Sequence, residues 1–394
     1  MKVIVSMDSF KGSLSALEAG EAVKEGILRA YPEACVKILP LADGGEGTAE
    51  AIVSATDGAW ETVTVSDPLG RPIRARYGVV GGKTAVMEMA ESSGLPLLLE
   101  DERDPMHAST FGFGEMIAHA IGKGYRDFTV GIGGSATNDG GVGMLTALGF
   151  AFLDKDGKPV PMGARGLEKL SSIETENVLP ALAECRFTVA SDVKNPLCGE
   201  NGCTSVFAPQ KGARAEDIER MDRWLSHYAA LTAQTVGEDF SLREGSGAAG
   251  GLGFALLAYL NADLRSGAET VMKATALEEK IKEADILVTG EGKLDFQSYM
   301  GKAPVEAARI AKRHGKRVIA LAGSVSDISG LPKESPIHAF FPIVSGPCTL
   351  SCAMEKETAR KNMIRTAEQV FRLLKAFDIQ SQRKECANGT IRQL

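Results

Sequence analysis

The two ends of the sequence share one pattern, an apolar strand followed by an amphipathic helix and a further strand. Residues 3–6 are the first predicted strand, and the helix after it begins at a capping box formed by Ser15 and Glu18. The same alternation returns late in the chain, with predicted strands at 286–289 and 318–322. Such alternation is typical of a parallel, doubly wound sheet. We therefore predict an α/β domain built from both chain ends.

The middle of the chain has a different pattern. Residues 61–66, 73–80 and 85–89 alternate apolar and polar side chains and are separated by glycine-containing turns, as antiparallel strands are. This change of pattern predicts a second domain inserted into the first, with a ligand cleft between the two α/β domains. The predicted segments are a discontinuous domain of 1–60 plus 281–378, an inserted mixed α/β domain of 61–280, and a polar tail of 379–394.

Glycine accounts for 44 of the 394 residues and is concentrated in loops that follow apolar strands. In open α/β sheets, ligands bind at the carboxyl ends of the strands. Five such loops also carry acidic, hydroxyl or lysine side chains, namely 8–13, 43–47, 131–141, 191–199 and 289–298. The third is the richest in Gly, Ser and Thr, so its backbone N–H groups predict a phosphate cradle.

The third loop also contains a Gly-x-Gly-x-x-Ala pattern at Gly131, Gly133 and Ala136, which is a weak signal for a dinucleotide. Glycines continue beyond the pattern, and Asp154 lies in a polar turn where a ribose-binding strand end is required, so phosphate is favoured. The sequence lacks a Walker A loop and the catalytic motifs of protein kinases. An NAD-type oxidoreductase and a non-catalytic sugar-acid sensor stay open as rival functions.

Charge and hydrophobicity narrow the class of protein. The net charge of −7 argues against a nucleic-acid partner, which requires a basic surface. No segment approaches the ~20 apolar residues of a membrane helix, and the first apolar run is too short for a signal peptide. The seven cysteines lack paired zinc spacing and are expected to be reduced thiols. We expect a cytoplasmic protein without membrane partners, and no pattern indicates an oligomeric state.

Taken together, the five loops resemble those of the type I glycerate kinase family over residues 1 to about 377, although Met7 replaces a proline usual in that family. The motifs that carry the resemblance are Asp8-Ser9-Phe10-Lys11-Gly12-Ser13-Leu14, Ala42-Asp43-Gly44-Gly45-Glu46-Gly47-Thr48, residues 131–141, Ser191-Asp192-Val193-Lys194-Asn195-Pro196-Leu197 and Thr289-Gly290-Glu291-Gly292-Lys293-Leu294-Asp295. The resemblance implies two α/β domains, one of them flavodoxin-like, with the active site in the cleft.

The resemblance also implies the reaction, which is ATP-dependent phosphorylation of D-glycerate in glyoxylate, glucarate or galactarate metabolism. The bacterial members of the family generally give 2-phosphoglycerate, and 3-phosphoglycerate is the alternative product. The implied ligands are therefore ATP, Mg²⁺ and D-glycerate.

Roles for individual residues follow from this reaction. Lys11 and Lys293 are predicted to bind phosphate or carboxylate, and either Asp192 or Asp295 is predicted to be the base that takes the hydroxyl proton. Four carboxylates are predicted to orient Mg²⁺, mainly through water: Asp43, Glu46, Asp139 and Glu291. The other predicted substrate- and phosphate-binding residues are Asp8, Ser9, Gly44, Gly45, Gly133, Gly134, Ser135, Thr137, Asn138, Gly290 and Gly292.

Overall fold

The computed structural model describes residues 1–326 and 335–391, with side chains described as far as Phe377. Its strands in chain order are β1 Lys2–Met7, β2 Cys35–Ile38, β3 Ala59–Ser66, β4 Pro72–Val80, β5 Thr84–Glu88, β6 Asp127–Gly131, β7 Ala151–Leu153, β8 Ser172–Glu174, β9 Arg186–Ala190, β10 Asp263–Arg265, β11 Ile286–Leu294, β12 Arg317–Val325 and β13 Ala339–Pro342. Its α-helices are α1 Ala16–Ala30, α2 Thr48–Ala55, α3 Ala90–Ser93, α4 Phe111–Gly122, α5 Val142–Ala147, α6 Cys203–Phe207, α7 Ala215–Val236, α8 Ala248–Leu260, α9 Gly267–Ala274, α10 Leu277–Lys282, α11 Ala303–Arg313, α12 Leu350–Met354 and α13 Lys356–Ile391.

Residues Met1–Ala42 and Met272–Leu394 form one compact unit, which we call unit 1. The order of its sheet is β13-β12-β11-β1-β2, and each pair of neighbours is parallel. Numbered along the unit, this order is 2-1-3-4-5, which is the flavodoxin-like arrangement. The predicted parallel sheet made from both chain ends is therefore confirmed.

Helices α1 and α13 pack together over this sheet. Helix α1 begins at the predicted capping box, in which the Ser15 hydroxyl accepts a hydrogen bond from the Glu18 N–H while the Glu18 carboxylate accepts one from the Ser15 N–H. Its apolar stripe, which includes Val23 and Ile27, is buried with Met363 of α13 in one core. Periodic apolar residues and a capped start thus account for the position of α1.

Residues Asp43–Val271 form unit 2. The order of its main sheet is β10-β9-β6-β5-β4-β3. Strands β3, β4 and β5 pair antiparallel, as the alternating pattern predicts, whereas β5, β6, β9 and β10 pair parallel. Strands β7 and β8 form a separate antiparallel pair. The mixed sheet arises because a local meander joins strands connected through longer segments.

The boundaries between the compact units lie at residues 42/43 and 271/272, whereas the sequence predicts them at residues 60 and 280. The sequence pattern assigns α2 to the discontinuous domain, because the meander begins only after it. In the structure, α2 packs against β4 and β5, where Ile52 and Val53 are buried. Helix α13 also continues to Ile391, into the segment predicted as a polar tail, and residues 392–394 lie outside the described part of the chain. None of the helices described combines the length and apolar character of a bilayer span.

Candidate active site

In unit 1, two of the glycine-rich loops follow β1 and end β11, which are neighbouring strands. In a 2-1-3-4-5 sheet this is the pair at which the strand order reverses, and ligands bind at the crevice beyond these strand ends. The Asp8 N–H donates to the Gly290 carbonyl oxygen at 2.8 Å, and a Cβ placed on Gly292 would lie 3.7 Å from the Phe10 Cα. The structure thus brings together the predicted residues Asp8, Ser9, Lys11, Gly290 and Gly292.

Glu291 is the buried carboxylate of this group. Its Oε2 lies 3.1 Å from the Nζ of Lys302, the residue before α11, and its side chain is 8% exposed. Its Oε1 is also buried and has no hydrogen-bond partner among the described residues. An unpartnered buried carboxylate oxygen is costly, so a ligand that supplies a positive charge or a hydrogen would fit there.

Asp295 lies at the end of the same loop and accepts a hydrogen bond from the Ser298 N–H, which caps the 3₁₀ turn Phe296–Met300. The Nζ of Lys293 lies 3.4 Å from its Oδ2. Partial burial raises the pKa of Asp295, but the nearby Lys302, the Ser298 N–H and Lys293 together hold it below its usual value. The Asp295 carboxylate is therefore ionised near neutral pH.

In unit 2, the parallel strands β5, β6, β9 and β10 end along one edge of the sheet. The loop 43–47 lies against these ends, because the Gly133 N–H donates to the Gly44 carbonyl oxygen at 3.1 Å. Gly44 has a φ of +89°, and a Cβ there would clash with the Ala190 carbonyl oxygen. The second, third and fourth predicted loops are therefore in contact with one another.

Three acidic side chains of these loops are exposed: Asp43, Glu46 and Asp192. The Asp43 Oδ1 accepts a hydrogen bond from the Gly45 N–H, and the Asp192 Oδ1 accepts one from the N–H of Gly267, the first residue of α9; both are 3.1 Å long. These bonds orient the carboxylates and leave them open to solvent. Among the residues described, no acidic, His or Cys side chains are grouped closely enough for a metal site made of protein ligands alone.

The third loop offers fewer N–H groups to a phosphate than the sequence predicts. The Gly133 N–H is used by Gly44, and the Ala136 N–H donates to the Ser93 carbonyl oxygen at 2.9 Å. The N–H groups of Gly134 and Ser135 have no acceptor among the described residues. Two further predicted contacts are fully buried, Thr137 and Asn138, and the Asn138 Nδ2 donates to Thr204 Oγ1.

Asp139 is also fully buried, which affects its predicted role in orienting Mg²⁺. Its carboxylate accepts hydrogen bonds from the N–H and Oγ1 of Thr110, both at 2.9 Å, and from the N–H groups of Gly141 and Gly143. Burial raises the pKa of Asp139, and these hydrogen bonds oppose that shift. The carboxylate thus holds the third loop to the residues before α4, and a hydrated metal ion has no access to it.

Comparison with known proteins agrees with these loops. Residues 3–375 match the model of the glycerate kinase family. The chain belongs to the glycerate kinase family. It is 44% identical to the glycerate kinase of Bacillus subtilis (strain 168), over 95% of this chain and 98% of that one. It is 43% identical to the glycerate 2-kinase of Escherichia coli (strain K12), over 89% and 92%.

A solved structure from Salmonella typhimurium LT2, whose function is given provisionally as glycerate kinase 2, has the same fold as this glycerate kinase family member. The two chains are 44% identical, superpose with a TM-score of 0.85, and match over 96% of this chain and 99% of that one. The family resemblance predicted from the five loops and the two-domain α/β fold class are confirmed.

Two buried charged residues of this glycerate kinase family member lie outside the five sequence motifs. Glu88, at the end of β5, accepts hydrogen bonds from the N–H groups of Gly47 and Ala49, and burial raises its pKa to about 7. Lys211 ends the 3₁₀ turn Pro209–Lys211 and is buried beneath the third loop. A carboxylate inside the apolar run of β5 was a usable signal for Glu88, whereas nothing around Lys211 distinguishes it.

Proposed function

We propose that this protein transfers the γ-phosphate of ATP to the 2-hydroxyl of D-glycerate, giving ADP and 2-phosphoglycerate. The observation that carries the proposal is the presence, in a chain of the glycerate kinase family, of all five loops at strand ends where ligands bind. The 43% identity to a relative named glycerate 2-kinase favours the 2-position. Kinases also need an ATP site, and the loops are the candidates for it.

The phosphate groups of ATP would contact the third loop through the Gly134 and Ser135 N–H groups, which lack protein acceptors among the described residues. In unit 1, Lys11 and Lys293 are exposed cations on two adjacent loops and would bind phosphate or the glycerate carboxylate. Fixed donors and cations favour phosphoryl transfer because they hold the reacting groups and stabilise the charge on the transferred phosphoryl group.

Mg²⁺ would accompany the nucleotide, and when bound it would neutralise phosphate charge. The side chains that suit it are Asp43 and Glu46, which are exposed, and Glu291, whose buried Oε1 lacks a partner among the residues described. We leave Asp139 out of this set because its carboxylate is fully buried and bonded to Thr110, Gly141 and Gly143.

We favour Asp192 as the base. During transfer the hydroxyl oxygen of glycerate bonds to the γ-phosphorus, the bond from that phosphorus to the β-γ bridging oxygen breaks, and the hydroxyl proton passes to a carboxylate. The lowered pKa of Asp295 makes it a poor proton acceptor, and it would instead orient Lys293. Asp192 is exposed and is held only by the Gly267 N–H among the described residues.

Cellular location and pathway are also proposals. We place the protein in the cytoplasm, in glyoxylate, glucarate or galactarate metabolism. The resemblance of the loops to the type I glycerate kinase family supports both placements.

A coupled assay of ADP release tests the activity. We expect ADP release from ATP only when both D-glycerate and Mg²⁺ are present. Proton-coupled phosphorus NMR identifies the product, because a phosphate on the 2-position couples to one carbon-bound proton and gives a doublet, whereas one on the 3-position couples to two and gives a triplet. Tight NADH binding without ADP release would favour an oxidoreductase, and glycerate binding without turnover a sensor.

The choice of base is tested by Asp192→Asn and Asp295→Asn. We expect Asp192→Asn to lower kcat by about 10²- to 10⁴-fold with a small change in KM, because it removes the proton acceptor. Asp154→Asn, in an exposed turn of the same unit, is the matched control. A larger loss of kcat in Asp295→Asn than in Asp192→Asn would assign the base to Asp295.

A further inference from the structure

The side chain of Lys211 is hydrogen-bonded to the third loop. Its side chain is buried, with the residue 2% exposed, and its Nζ donates to the Ser135 Oγ and to the Thr137 carbonyl oxygen, both at 2.6 Å. These two acceptors lie on either side of Ala136 in the loop. A single ammonium group therefore fixes the segment that carries the unpartnered Ser135 N–H.

The charge of Lys211 lacks a close counterion within the described part of the chain. Among the residues that the structure describes, no carboxylate forms an ion pair with its Nζ within 4.0 Å. The titratable groups that face it are Asp139, from the third loop, and Cys203, the first residue of α6. Burial lowers the pKa of Lys211 to about 8, while Cys203 and Asp139 act in the opposite direction. A buried ammonium held mainly by neutral oxygens is costly unless something else compensates its charge.

Around this segment, several hydrogen-bond donors are not used by any described residue. Gly134 is exposed, and the N–H groups of Gly134 and Ser135 have no acceptor within the described part of the chain. The hydroxyl of Thr137 is buried and also lacks a hydrogen-bond partner there. Unused donors next to a buried cation form a local environment that favours an anion.

We propose that Lys211 is a positioning residue for nucleotide phosphate: it holds the segment Ser135–Thr137, and its buried positive charge is compensated by the anion that the loop binds. This inference rests on the proposed function, which assigns phosphate to the third loop. It adds a specific dependence of nucleotide affinity on one buried side chain that does not itself face the reacting atoms.

Because a bound anion compensates the charge of Lys211, nucleotide affinity should depend on pH in one direction. A bound anion stabilises the charged ammonium, so the pKa of Lys211 is higher in the complex than in the free protein. The protein therefore binds nucleotide more tightly when Lys211 is protonated, and binding takes up a proton near pH 8. If the pKa in the complex rises by two units or more, the affinity falls about tenfold between pH 7 and pH 9. Cys203, with a pKa raised by burial to about 11, does not titrate in this window.

Calorimetric titration of the wild-type protein with ADP tests the predicted proton uptake and pH dependence without any substitution. Titrations at pH 8 in two buffers of different ionisation heat count the protons exchanged. We expect uptake of up to about half a proton per ADP, and a Kd that rises about tenfold from pH 7 to pH 9. ADP binding that is independent of pH in this range, in protein that turns over glycerate, overturns the inference and leaves the proposed function standing.

Lys211→Met tests the residue itself, because methionine has a similar length and no charge. We expect the KM for ATP at pH 7.5 to rise about tenfold or more, with a smaller change in kcat, and the pH dependence of ADP affinity to disappear. Ser135→Ala removes one acceptor and keeps the charge, so it should retain the pH dependence. Lys158→Met, at an exposed lysine, is the control expected to match wild type.

The outcomes separate the two proposals. Should Lys211→Met fail to fold, the pH dependence and proton uptake of the wild-type protein still decide the question. A Lys211→Met protein with wild-type KM for ATP and an unchanged pH profile overturns the role of Lys211 alone. A wild-type protein that neither binds ADP nor turns over glycerate overturns the proposed function, and this inference with it.

Discussion

Glu88 connects the end of β5 to the start of α2 through a buried carboxylate. Its two oxygens accept the N–H groups of Gly47 and Ala49, at 3.2 and 2.7 Å. Burial is the main reason that its pKa rises from 4.5 to about 7, and the negative charges of Glu91 and Glu46 add to the effect. The favourable position at a helix N-terminus offsets only part of the cost of burial.

Replacement of Glu88 should therefore change how stability depends on pH. Between pH 4.5 and pH 7 the folded protein keeps a proton on Glu88 that the unfolded chain releases, so the free energy of unfolding falls as pH rises, by at most roughly 3 kcal/mol. Glu88→Gln should lose this fall. Urea unfolding of both proteins from pH 5 to pH 8 measures it, with Glu100→Gln, at an exposed position, as control. Parallel curves for wild type and Glu88→Gln would contradict the prediction.

At this scale the sequence predicts the exposed residues of the loops better than the buried ones. Lys293 and Asp295 stand in one short motif, and in the structure Lys293 lies near the end of β11 while Asp295 caps the turn that follows it. The partners of Glu88 and Lys211 lie far away in sequence, so their roles depend on contacts that only folding creates. Burial likewise separates Asp139 from Asp43 and Glu46, which look equivalent to it in the sequence.

Among the structural elements, the loop 43–47 contains two glycines with nearly the same backbone conformation. Gly44 and Gly47 have φ values of +89° and +88°, but only at Gly44 would a Cβ clash with backbone, at Ala190. Gly47→Ala should cost about 1–2 kcal/mol of strain. Gly44→Ala should cost more, because it also pushes the loop away from β9, and should reduce kcat/KM strongly. Urea unfolding and the ADP-release assay measure both. Equal effects of the two changes would show that the contact with Ala190 is unimportant.

The capping box of α1 gives a second prediction for an element. Ser15→Ala removes the hydroxyl that accepts the Glu18 N–H, so we expect the free energy of unfolding to fall by about 1 kcal/mol. Ser54→Ala, within α2, removes an exposed hydroxyl that bonds only to the Ala51 carbonyl oxygen, and should be nearly neutral. Denaturant midpoints compare the two, and a loss in Ser54→Ala as large as in Ser15→Ala would argue against a specific cap.

Elements with local signals are the ones that the sequence predicts. The start of α1, the strands β1 and β11, and the meander β3–β5 depend on periodicity, capping and turns within a few residues. The contacts of α2 are not predicted at this scale, because its neighbours β4 and β5 follow it in the chain and its own sequence does not reveal them.

At the scale of the whole molecule, the two compact units predict which fragment folds alone. Residues 43–271 contain a continuous core and a complete mixed sheet. We expect this fragment to unfold cooperatively on heating, with a near-UV circular dichroism signal of packed aromatic residues.

A fragment cut at the sequence-predicted boundaries is the matched comparison. Residues 61–280 lack α2, and so leave uncovered the faces of β4 and β5 on which Val53 packs. We expect a lower unfolding midpoint than for residues 43–271. Equal midpoints would support the boundary at residue 60 instead.

The parallel sheet of unit 1 was predictable from the repeated alternation at the chain ends, since strands of one rhythm tend to share a sheet. The identity of the substrate was not, because glycine-rich loops at strand ends suit any small phosphorylated ligand. It is the order of five motifs, matched by the family over residues 3–375, that points to glycerate.

The position of β1 between β2 and β11 also has a consequence for protein synthesis. β11, one of the two partner strands of β1, leaves the ribosome only after all of unit 2 has been made. At about 5–20 residues per second this delay is on the order of 10–50 s. During that time unit 2 can complete its sheet, while the edge of β1 that later pairs with β11 has no partner. Chaperones that bind exposed nascent strands would therefore act first on the earliest segment of the chain.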